Sequence, residues 1–212
     1  LTQAQLNKDR QEVVLRAAMA KGNIDETALA DFRVNLDDPK KAKEKQELLQ
    51  KTDDWAILAY IAENKLNDFN KTLIPKLQDK ALETAAAEYA PEDIKRLDRD
   101  IQDAIVALDK VKKSKDEFAI AEAALYLAEL REERADIVLS AAMAGVDAKA
   151  FEEFKAKVAA ASAQDRSNLL AGTEPLVLAY VAENALKTAS DSFKRQSAAR
   201  DGVVARQKAA GE

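Results

Sequence analysis

Val13-Val14-Leu15-Arg16-Ala17-Ala18-Met19-Ala20 returns as Ile137-Val138-Leu139-Ser140-Ala141-Ala142-Met143-Ala144, and Leu58-Ala59-Tyr60-Ile61-Ala62-Glu63-Asn64 returns as Leu178-Ala179-Tyr180-Val181-Ala182-Glu183-Asn184. Six of eight positions match in the first pair and six of seven in the second, and the chain's two methionines occupy one equivalent position. The sequence therefore reads as a duplication within a single helical domain spanning 1–212, with repeat 1 over 1–90 and repeat 2 over 91–212. A pseudo-twofold scaffold of this kind offers a place for a ligand between the copies.

Composition points to the same class. Alanine dominates the 212 residues, with only 4 Pro and 5 Gly to interrupt helices. Alanine and straight-chain residues lose the least entropy on entering a helix, so the expected fold is all-α. The 38 acidic against 33 basic residues leave a net charge of -5. That balance gives no basic excess to neutralise phosphates, which argues against a nucleic-acid partner. Cys and His are both absent. Zinc sites, thiol nucleophiles and imidazole acid–base chemistry are thereby excluded, and no phosphate-binding or calcium loop occurs. We expect no enzyme, no catalytic residues, no metal site and no cofactor.

Helix signals divide the chain three and three. The first helix runs from about Thr2 to Lys21 and stops at Gly22-Asn23. A short second one starts behind Asp25, carries Phe32 and Leu36 on its inner face, and resumes after Asp37-Asp38-Pro39 as far as Leu48-Leu49. Thr52-Asp53-Asp54 caps a long third helix reaching Tyr89, with a kink expected at Pro75. After the Ala90-Pro91 turn nothing resembling a helix breaker precedes Gly145, so the spacing predicts one uninterrupted helix of about 80 Å from Glu92. A short helix with Phe151 and Phe154, then Leu169-Leu170, then a last helix behind Gly172-Thr173-Glu174-Pro175 repeat the first plan.

Lengths then predict an elongated antiparallel helical bundle of two stacked four-helix modules sharing long helices. The fourth helix supplies a seam of Ile94, Leu97, Ile101, Ala104, Leu108 and Val111. Beyond it the seam meets Lys115 and Glu122, which either mark the junction between modules or lie in solvent. The polar seam of the last helix, Leu186, Ser190, Phe193, Ser197, Arg200 and Val204, suits a fraying end. The first helix is too short to complete the lower module, and we expect it to extend N-terminally in the intact protein. A start in mid-helix and a polar helical tail read as an excised fragment.

Two constellations are candidates for binding. The stripes Leu6, Arg10, Val13, Ala17, Ala20 and Leu130, Arg134, Ile137, Ala141, Ala144 each put an arginine on an apolar face. A guanidinium so placed needs an anion, and its planar fork suits a carboxylate. The helix N-termini at Thr52 and Thr173 would add free N–H groups. The alternative is that Arg10 and Arg134 pair internally with Glu12, Glu47, Asp53, Glu133 or Glu174. The second constellation is a repeated Tyr-x-x-x-Asn, Tyr60 with Asn64 and Tyr180 with Asn184, whose spacing of four puts phenol and amide on one helical face. Its alternative is a tyrosine half-buried between helices beside an ordinary interhelical asparagine bond.

The three-plus-three plan resembles the helical bimodular sensor domain of bacterial methyl-accepting chemotaxis receptors. The segments that carry the likeness are Leu130-Arg131-Glu132-Glu133-Arg134 running into Ile137-Val138-Leu139, and Lys8-Asp9-Arg10 running into Val13-Val14-Leu15. The resemblance implies a periplasmic domain of an inner-membrane protein, attached through flanking transmembrane helices and paired as a homodimer. It further implies binding of a small organic acid and signalling by helix displacement. Two other readings stand beside it. One is a structural or interaction bundle of spectrin-like or adhesin type, with its arginines tied up in ion pairs; the other is the sensor domain of a histidine kinase.

Overall fold

A computed structural model describes residues 2–38, 40, 42–49 and 54–211. All regular structure among them is helical: α1 Thr2–Gly22, α2 Glu26–Leu36, α3 Ala42–Leu48, α4 Trp55–Tyr89, α5 Pro91–Lys112, α6 Glu117–Met143, α7 Ala148–Ala160, α8 Ala163–Leu169 and α9 Pro175–Gly211. The expected all-α class is thus met. None of these helices is long and apolar enough to cross a membrane. The chain forms two compact units, Leu1–Lys76 and Leu77–Glu212.

In the first unit, α1, α2 and the start of α4 close over Ala18, Leu29, Leu36, Ala59 and Tyr60. Asp25 caps α2 by accepting from the Ala28 amide at 2.7 Å, and Leu36 is buried as expected. Gly22 is the last residue of α1, where an added Cβ would meet Cβ of Trp55 at 2.8 Å, and Asn23 then turns the chain with φ of 49°. Asp54 caps α4 by accepting from the amides of Ala56 and Ile57. Thr52 and Asp53 lie outside the described residues. Pro75 sits inside α4, which runs on to Tyr89.

The second unit overturns the uninterrupted fourth helix. After Lys112 the chain turns through Lys115, whose φ is 59°, and restarts at Glu117 with Asp116 accepting from the Ala119 amide at 3.1 Å. The Ser114 hydroxyl donates back to the Val111 carbonyl, satisfying the end of α5. The result is a helical hairpin: Leu97 and Ala104 of α5 pack with Leu127 and Leu130 of α6. The 80 Å helix and the module overhang built on it therefore do not exist. Lys115 belongs to the turn itself, whereas Glu122 accepts from Nε of Arg200 at 2.6 Å.

The last helix is also not a fraying end. Ser190 and Arg200 of its weak seam find carboxylates along an antiparallel α6, on Glu132 and Glu122, and Arg206 beyond the seam reaches Glu117. Val203 is buried. A seam lacking large apolar residues is held here by paired charges and small residues, a pattern that hydrophobic periodicity does not register.

The two repeated segments adopt matching local geometry, each inside its own unit. Asp147 caps α7 by accepting from the Ala150 amide at 2.8 Å, as Asp25 caps α2. Gly145, with φ of 82°, turns the chain after α6 where Asn23 does so after α1. Ala59 and Ala62 are as fully buried as Ala179 and Ala182. Leu36 and Val158, each 11 residues past its cap aspartate, are both buried.

Candidate functional site

The repeated tyrosines sit in equivalent aromatic contacts. Phe32 and Tyr60 meet edge-on with ring centroids 6.2 Å apart and planes at 74°, and Phe154 and Tyr180 do so at 6.0 Å and 81°. The residue after each phenylalanine is basic, and it reaches the glutamate three places beyond each tyrosine. Arg33 Nη1 lies 3.2 Å from Glu63 Oε1, and Lys155 Nζ lies 3.0 Å from Glu183 Oε1. The unit that recurs in space is therefore Phe-base with Tyr-x-x-Glu. In the second copy of the expected Tyr-x-x-x-Asn face, Asn184 donates to the Tyr180 carbonyl of its own helix while the Tyr180 ring packs on Phe154. The helical rule of four places the Cβ atoms alongside one another, but a side chain bonded back to its own turn points along the helix. Phe32-Arg33 and Phe154-Lys155 stand at equal distances from their cap aspartates, a signal present in the sequence that went unused.

The two copies then diverge. The Tyr60 hydroxyl donates to Asp37 Oδ1 at 2.6 Å, and Lys45 bonds the same carboxylate. Lys45 and then Tyr60 hold the Asp37 carboxyl below its ordinary value, and Asp37 in turn raises Lys45. In the second copy the position matching Asp37 is Ala159, so among the described residues nothing accepts from Tyr180. Lys155 serves two carboxylates instead, Glu152 at 2.7 Å and Glu183 at 3.0 Å, and both raise its pKa.

The paired arginines fare differently from expectation. The first-copy stripe faces outward: Leu6 and Val13 are 63% and 67% exposed and Arg10 is exposed with them. Ala18, with Leu15 and Met19, faces the core instead. Apolar residues run almost continuously from Val13 to Ala20, so periodicity alone does not choose a face; close approach of Ala18 to Ala59 and Tyr60 does. In α6 the stripe is inward, with Leu130 and Ala141 buried, but Arg134 Nε donates to Asp98 Oδ1 at 2.6 Å. Arg96 pairs with Glu133 beside it at 2.7 Å. Both bonds exist only because α5 folds back; on a continuous helix Asp98 and Arg134 would lie about 54 Å apart. Thr173 is exposed, and the first turn of α9 closes on the Glu174 carbonyl.

A cleft that the sequence reading did not assemble lies between α6 and α9 in the second unit. It has a volume of about 550 Å³, and Arg131 and Arg195 flank Asn184, Thr188 and Ser192 over a floor of alanines. Arg131 is exposed and meets no carboxylate among the described residues, unlike Arg96 of α5, Arg134 of α6, and Arg200 and Arg206 of α9. A second hollow of about 340 Å³ shares Arg131, Ala185 and Ala189 with it and adds Asp79 and Glu83 from α4. Among the described residues no cluster of acidic side chains is arranged to hold a metal. Alternating arginines with small residues is the sequence trace of such a cleft, but only the α6–α9 pairing brings Arg131 and Arg195 together. In comparisons with protein-family descriptions, curated proteins and solved structures, nothing matches this chain.

Proposed function

We propose that this chain is an internally duplicated, two-module helical sensor domain that binds a small organic acid through Arg131 in the α6–α9 cleft. The observation that carries the reading is the contrast between Arg131 and its neighbours. Four arginines of the same hairpin and seam are bonded to protein carboxylates, whereas Arg131 is exposed at the cleft without one among the described residues, facing Arg195, whose Nε donates only to the Asp191 carbonyl of its own helix. An uncommitted guanidinium beside Asn184 and Ser192 offers a carboxylate its planar fork and a hydroxyl or carbonyl its partners. The cleft falls within the usual size of small-molecule sites, roughly 300 to 1,000 Å³. A guest wedged between two helices that otherwise close on each other shifts their spacing, and signalling needs no more than that difference in affinity. In the receptor reading the domain is periplasmic, is anchored through flanking membrane helices and works as a homodimer. The clamp in this proposal is Arg131, in place of the Arg10 and Arg134 pair.

The test is a thermal-shift panel of succinate, malate, acetate and nitrate. At least one carboxylate should raise Tm, and Arg131→Ala should abolish the rise while leaving the helical signal intact. An unchanged Tm across the panel and across amino acids would count decisively against ligand binding. A structural spacer is the second reading, favoured by one observation: every α5–α6 bond described above closes charge on charge within the protein.

A further inference from the structure

The hollow shared by α4, α6 and α9 has an uneven distribution of charge that specifies its guest more narrowly. Asp79 and Glu83 stand one turn apart on α4, both exposed and neither paired with a cation among the described residues. On the opposite wall Arg134 is already neutralised by Asp98 at 2.6 Å, which leaves Arg131 as the cation available to a ligand. The remaining wall is Leu82, Val138 and alanine, with Leu82 and Val138 buried. A dicarboxylate placed here satisfies Arg131 with one end and meets two carboxylates with the other. A ligand carrying a carboxylate and an ammonium group on the same carbon meets opposite charges on both walls, and a short aliphatic side chain covers the apolar wall.

We infer that the hollow between Arg131 and the Asp79–Glu83 pair binds a small α-amino acid as its zwitterion, carboxylate toward Arg131 and ammonium toward α4. This rests on the reading of Arg131 as a carboxylate-binding residue, and it deepens that reading by naming the ligand class. The volume of about 340 Å³ accommodates a guest the size of valine. Binding of such a guest ties α6 to the part of α4 beyond Leu77, which lies in the same compact unit, in addition to wedging α6 from α9.

Isothermal titration with L-valine, isovalerate and L-valinamide tests the inference, since the last two each lack one of the two charges. Valine should bind at least tenfold more tightly than either. In the double variant Asp79→Asn, Glu83→Gln the advantage over isovalerate should fall to twofold or less while isovalerate binding stays level or improves. Both substitutions are at exposed positions, and circular dichroism checks that the fold is kept. Isovalerate or succinate binding as well as valine overturns the zwitterion and leaves the organic-acid site standing. Failure of all of these ligands, with no effect of Arg131→Ala, overturns both.

Discussion

The two copies of the Phe-base and Tyr-x-x-Glu set share their aromatic geometry to within 0.2 Å in centroid separation (6.2 Å against 6.0 Å) and keep the base-to-glutamate pair, yet the other polar bonds around them differ. In the first, Tyr60 is bonded into a network with Asp37 and Lys45, and one oxygen of Glu63 is buried without a partner. In the second, Tyr180 lacks that network, and Lys155 is shared between two more exposed carboxylates. Ring packing is thus the constant of the repeated segment, and polar bonds are what each copy adjusts. Ring contacts follow from a few buried positions, whereas surface charge pairs contribute little and drift freely.

The largest effect expected from breaking the comparison lies at the glycines that end the first helix of each copy. At Gly22 an added methyl would press on Trp55 Cβ at 2.8 Å, so Gly22→Ala should cost about 2 kcal/mol through overpacking. At Gly145 the space is open and only the φ of 82° resists, so Gly145→Ala should cost about 1 kcal/mol. Trp55 is the only tryptophan and stacks under Lys21 at 5.2 Å, which makes its fluorescence a local reporter. The Gly22 variant should lower the fluorescence midpoint more than the Gly145 variant does. Equal shifts would mean that the close approach of α1 to Trp55 is wrong.

A smaller effect separates the tyrosines. Tyr60→Phe should cost about 1 kcal/mol, the net worth of a hydrogen bond, while Tyr180→Phe should be close to neutral. The same network carries a pH signature. The Asp37 carboxyl is depressed in the folded chain by Lys45 and Tyr60, so its contribution is fully present above the unfolded value near 3.8 and is lost as pH falls through the lower folded value. Fluorescence-monitored denaturation should become easier over that acid window in the parent, and Tyr60→Phe should flatten the dependence. A parent whose stability does not change there removes the network from the account.

Much of the fold was legible because its punctuation is chemical and local. Asp25, Pro91 and Pro175 each mark a helix start that the structure keeps, and Gly22 and Gly145 mark the ends. The turn after Lys112 was not legible, since Lys-Lys-Ser-Lys-Asp contains neither glycine nor proline; its trace was Ser114 and Asp116, a hydroxyl and a carboxylate suited to closing one helix and opening the next. The face of α1 was also hidden, because a nearly continuous apolar run has no preferred side until a partner helix supplies one. Missing the hairpin carried through to the candidate site. It concealed Asp98 as the partner of Arg134, and with it the fact that Arg131, one turn earlier on the same helix, meets no carboxylate among the described residues.

That uncommitted guanidinium bears the functional reading, and a nitrogen-15 NMR titration with L-valine and with succinate addresses it directly. The account predicts saturable shifts confined to the amides around Arg131 on α6 and Asn184–Ser192 on α9, joined for L-valine by those around Asp79–Glu83 on α4, for at least one of the two ligands, and their loss in Arg131→Ala. Shifts scattered over the surface, or a spectrum that neither ligand changes, would contradict it.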